Sequence, residues 1–163
     1  MKLGQTHNTK IAFAEGILEC WKQFPNGVRE HVFREENLIV KEAKLYLLSG
    51  LWDEALAADT ISSFRVGTGG SIDPEGLFPS PESPTQTGLV TPLLTVSTSY
   101  VVYEDEIKVT YLADIDQNEG NGYKITEAGL FKTSGKIFNI KNFPAVPKTS
   151  EFSLHFEWSI KAL

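Results

Sequence analysis

The chain has 163 residues, a net charge of −6, 41% hydrophobic residues and 11% aromatic residues. That length fits one domain with a sizeable core, and the aromatic content excludes disorder over most of the chain. The acidic balance argues against nucleic acid as a partner, and no apolar run reaches the ~18 residues of a membrane helix, so no membrane is expected either.

Residues 1–10 read as a flexible N-terminal arm, because 4–9 hold no large apolar side chain. Residues 11–163 read as a single domain. The opening stretch lacks the apolar centre of a secretory signal. Cys20, the one cysteine, cannot form an intrachain disulfide; it fits a reducing compartment and is expected to be a small buried residue.

Asn26-Gly27 lies between two mixed runs and predicts a hairpin with strands at about 16–24 and 28–34. The segment 41–52 predicts the principal helix, with Ala43, Leu47, Gly50 and Leu51 on one stripe, widened by Leu48 and Trp52. A further turn over 53–59 and a short strand over 60–66 follow.

Residues 67–88 hold prolines at 74, 79, 81 and 84 and a run of glycines, so they form no regular element. A loop of this length is functional or disordered. Leu77 and Phe78, with Pro79, Pro81 and Pro84, are the candidate interaction residues. The expectation is an extended loop that makes most of its contacts with another chain, and that 72–84 can be deleted without unfolding the domain.

From Leu89 the pattern is β, with strands expected at 101–103, 107–115, 123–131, 136–140 and 152–162. The last alternates strictly: Phe152, Leu154, Phe156, Trp158 and Ile160 face one way, and Ser153, His155, Glu157, Ser159 and Lys161 the other. The fold class is therefore mainly β with one principal helix, an antiparallel β-sandwich of α+β type.

Chemistry-bearing patterns are sparse. Gly67-Thr68-Gly69-Gly70 has the look of a phosphate cradle, but no Lys-Ser/Thr follows and Pro74 interrupts a helix start; a glycine turn is expected. Asp114, Asp116 and Asn118 alternate like the opening of a calcium loop. Glu119 and Ile125 occupy positions where that loop needs glycine and glutamate, so a hairpin turn is expected, with a weak calcium site of another kind as the alternative. His7, His31 and His155 have no ligand spacing. Trp21 and Trp158 are expected in the core; solvent-facing tryptophans would instead suggest a carbohydrate platform. No nucleophile turn is present. The chain reads as a non-enzyme with no catalytic residue, cofactor or metal.

Several stretches occur in a telling order. Asn37-Leu38-Ile39-Val40 precedes the helix, and Val66-Gly67-Thr68-Gly69-Gly70 closes a strand. Ile125-Thr126-Glu127-Ala128-Gly129-Leu130-Phe131 then leads to a Ser134-Gly135 turn. Asn142-Phe143-Pro144-Ala145-Val146-Pro147-Lys148-Thr149 comes before a final strand centred on Glu157-Trp158. This set, over about 37–160, resembles small virion structural proteins of tailed bacteriophages and, more loosely, the attachment domains of tail and baseplate fibres. The resemblance implies a structural role in the tail, baseplate or neck/collar of a virion assembled in the host cytoplasm. It implies other virion proteins as partners and a homo-oligomeric form. A capsid decoration protein, a host-surface carbohydrate-binding module and a glycan hydrolase with paired carboxylates are the competing readings.

Overall fold

The computed structural model describes residues 14–49, 53 and 58–162. The expected arm at 1–10, His7, the helix tail at 50–52 and most of the added turn at 53–59 lie outside the described residues.

Among the described residues the fold is an antiparallel sandwich of two five-stranded sheets with one α-helix. In chain order the elements are β1 (Ala14–Gln23), β2 (Arg29–Glu36), β3 (Leu38–Ile39), α1 (Lys41–Ser49), β4 (Ile61–Gly67), β5 (Pro92–Ser97), β6 (Ser99–Tyr103), β7 (Lys108–Ile115), β8 (Lys124–Lys132), β9 (Ile137–Pro147) and β10 (Ser153–Ala162). The first sheet runs β2-β1-β10-β7-β6, the second β3-β9-β8-β4-β5.

Strand β10 is central to the first sheet, between β1 and β7. Its alternation works as expected: Phe152, Leu154, Phe156, Trp158 and Ile160 are buried. They meet the second sheet through Phe64, whose ring lies 4.8 Å from Phe156 and 5.9 Å from Trp158. Phe33 and Phe143 close the same layer at 4.6 Å. Cys20 is fully buried, and burial pushes its thiol pKa well above the ordinary value, against a smaller lowering by Lys22.

The predicted hairpin forms across 23–29, with Gly27 at φ 85°. One expectation needs correction. The strand expected at 136–140 continues to Pro147, and its pairing with β8 shifts register around Pro144, where a missing N–H is tolerated. The helix packs through only part of its described apolar residues. Ala43 is buried and Tyr46 packs edge-on against Phe138 at 6.3 Å, while Leu47 and Leu48 stay exposed.

The loop at 67–88 is tied to itself and to its own domain by hydrogen bonds. The N–H of Ser80 donates to Gly70 at 2.9 Å, that of Ala145 to the Gly76 carbonyl at 2.7 Å, and that of Lys41 to the Pro84 carbonyl at 2.8 Å. Asn142 donates from its backbone to Glu82 at 2.8 Å and from its side chain to Ser80 at 2.9 Å. Proline keeps its carbonyl, and that of Pro84 serves as an acceptor. Deleting 72–84 would leave the donors of Lys41, Ala145 and Asn142 unpaired, so the domain is not expected to tolerate it.

Candidate interaction surfaces

The tip of this loop is built from one carboxylate. Asp73 accepts hydrogen bonds from the N–H of Phe78 at 2.7 Å, the N–H of Leu77 at 3.1 Å and the hydroxyl of Ser71 at 2.9 Å. Gly76 turns the chain at φ 77°, and an added Cβ would meet that of Ala145 at 2.5 Å. Leu77 and Phe78 are thereby held outward, each 64% exposed. Pro79 pairs with Ser71 in an isolated bridge, and Pro84 receives the Lys41 N–H, so these two prolines brace the tip. Pro81 lies on the strap between them, beside Glu82.

The amide donors of Leu77 and Phe78 draw the Asp73 pKa down to about 2. A depressed carboxyl stabilises its turn fully above the ordinary aspartate value of about 4 and loses that effect as pH falls through about 2. Asp73→Ala is therefore expected to speed hydrogen exchange at the Leu77 and Phe78 amides while leaving the global melting transition in place. Unchanged exchange would show that the turn does not need the carboxylate.

The sequence motifs converge in space as a scaffold. Glu127 is fully buried and accepts three backbone donors: Gly69 at 3.0 Å, Val90 at 2.9 Å and Thr91 at 2.8 Å. The Thr126 hydroxyl accepts the Gly70 N–H at 3.0 Å. The N–H groups that a phosphate would need at Gly69 and Gly70 are thus committed to protein oxygens. Gly70 is required because a Cβ there would lie 2.3 Å from the Thr126 carbonyl.

Lys148 does similar work in the turn at 116–122. Its buried ammonium donates to the Gln117 carbonyl at 3.2 Å, the Asn121 side-chain oxygen at 2.9 Å and the Thr149 carbonyl at 2.8 Å. Desolvation lowers the Lys148 pKa, opposed by Glu119 and Asp116. The turn considered for calcium therefore carries a protein cation. Asp114 points elsewhere, to His155 at 2.7 Å on the sheet face.

No family model, curated protein or solved structure matches this chain.

On the outer face of the first sheet, Trp21 lies between His31 and His155, with ring centroids 5.4 and 6.0 Å away. The Arg29 guanidinium sits over the Trp21 ring at 5.2 Å. That face of the ring is occupied by protein, unlike an open stacking platform. Trp158 is in the core, as expected, whereas Trp21, expected there too, is half-buried on the outer face. Among the described residues no cluster of three or more His, Cys, Asp or Glu could hold a metal ion.

Two surfaces were not legible as sites in the sequence. One is β6, in which all five residues are exposed. The other is an apolar cavity of about 610 Å³ beside it, lined by Leu47, Leu48, Val102, Ile107, Val109 and Ile160 among others. The uncharged run Ser99–Tyr103 was the available signal for both.

Proposed function

We propose that this chain is a structural subunit of a tailed-bacteriophage virion that works by binding other virion proteins, with Leu77 and Phe78 as a docking point. The observation that carries the docking role is the rigid presentation of two adjacent large apolar side chains by Asp73 and the braced loop. A floppy loop would lose binding energy to ordering; this one is already ordered, so burial of the pair is available for affinity. The virion assignment is supported by the ordered motifs of the sequence, which pack as one scaffold around β8, β9 and β10.

Two measurements test this. Mass spectrometry of purified particles from the phage encoding the chain should find it at a fixed copy number. Complementation with Leu77→Asp plus Phe78→Asp should give a chain with wild-type melting that fails to enter particles. Burying two such side chains contributes about 1.5–3 kcal/mol each, so affinity for the docking partner should fall at least about a hundredfold. Absence from particles overturns the virion assignment. Normal incorporation of the double variant overturns the docking point.

A further inference from the structure

Among the described residues, four strands lie at sheet edges: β2 and β6 in the first sheet, β3 and β5 in the second. Exposed edges invite pairing with another chain, and proteins guard them with charge, proline or brevity. Three of the four are guarded. Strand β2 carries Arg29, Glu30, Arg34, Glu35 and Glu36; β3 has only two residues; β5 begins at Pro92. Strand β6, Ser99-Tyr100-Val101-Val102-Tyr103, has neither charge nor proline, and pairs with β7 without a register shift.

We propose that β6 pairs antiparallel with β6 of a second copy, about a two-fold axis through Val101. The two first sheets then join into one of ten strands. The register follows from three constraints. Two-fold pairing of edge strands must match outward-facing backbone groups with each other, which allows only pairs of like parity. Centring on Val101 is the choice that pairs all five residues, with Tyr100 opposite Val102 and Ser99 opposite Tyr103. Aromatic against β-branched is a favourable cross-strand pair.

Charge fixes the direction. Glu104, Asp105 and Glu106 follow β6 directly and are exposed. A parallel pairing would place the two acidic triplets side by side. The antiparallel pairing sends them to opposite ends, against the uncharged residues 96–98. The cavity gains a cover in the same step. Val102 lines it, and the Tyr100 of the second copy lies across from Val102 at its rim. The ribbon alone is small beside the ~1,000 Å² that a stable interface clears, and Leu47, Leu48 and Ile107 at the rim add to it. Dimerisation should accordingly depend on concentration. This proposal is independent of the loop tip and of any role in a particle.

The test is Val101→Cys under mild oxidation, read on a non-reducing gel, with Ser99→Cys as the control. The native Cys20 is fully buried and does not compete. A residue paired with its own copy has Cα atoms about 4.5–5.5 Å apart, within disulfide reach. Ser99 lies four residues, about 13 Å, from its copy along the ribbon. Val101→Cys should give a covalent dimer at least tenfold more abundant than Ser99→Cys does. Val101→Lys should sediment as a monomer at concentrations where the wild type dimerises. The proposal is overturned if Val101→Cys stays monomeric, if it cross-links no better than Ser99→Cys, or if Val101→Lys still dimerises.

Discussion

Trp158→Ala is expected to lower the unfolding free energy by about 3–5 kcal/mol, the range for a large aromatic removed from a packed core. The side chain is fully buried on the central strand of the first sheet and meets Phe64 edge-on at 5.9 Å. Its indole N–H donates to the Asn37 side-chain oxygen at 2.8 Å. Alanine removes both the apolar area and this donor, leaving a buried acceptor without its partner. Trp158→Phe keeps most of the area and loses the hydrogen bond, so its cost should fall near 1–2 kcal/mol. Urea titrations followed by circular dichroism measure both. A loss below about 1 kcal/mol for alanine would mean that the ring is not part of the core.

The strand that carries Trp158 was readable because one of its faces is buried and the other is not. That contrast writes period two into the sequence from Phe152 to Ile160. Strands β8 and β9 lack it. Every residue of β8 from Ile125 to Lys132 is buried: on one face Leu130 lies beside the core residue Phe64, and on the other Glu127 is closed over by Gly69, Val90 and Thr91. With both faces covered, nothing alternates, and Pro144 and Pro147 further disguise the length of β9. The period locates the helix, while Leu47 and Leu48 face an open cavity and Ala43 faces the core. A period fixes which residues share a face and not which face meets the protein.

The candidate sites divide in the same way. Leu77 and Phe78 could be picked out locally, as apolar residues in a proline-rich loop. The device that presents them, Asp73 bonding four and five residues ahead, is local too but hidden by the exposed setting. The edge role of β6 is a property of strand order, which no local pattern encodes. The glycine turn at 67–70 and the strand holding Glu127 were both visible, yet they lie nearly sixty residues apart. Only the pairing of β4 with β8, which sets Gly67 opposite Glu127, joins them.

That join leads to the second large effect. Glu127→Ala is expected to cost about 3–5 kcal/mol, because three backbone N–H groups lose a buried carboxylate acceptor and each unsatisfied donor costs roughly 1–3 kcal/mol, less where water can enter. The donors come from two segments, Gly69 on one side and Val90 with Thr91 on the other, so one side chain ties both ends of the long loop to β8. Glu127→Gln separates geometry from charge. One oxygen, Oε1, bonds both Gly69 and Thr91, and Oε2 bonds Val90. An amide can keep the first pair, while its NH₂ then faces the Val90 N–H, donor against donor. The glutamine variant should therefore lose less than alanine, with faster hydrogen exchange concentrated at Val90. Equal losses for the two variants would show that Glu127 acts by filling space and not by accepting the three hydrogen bonds.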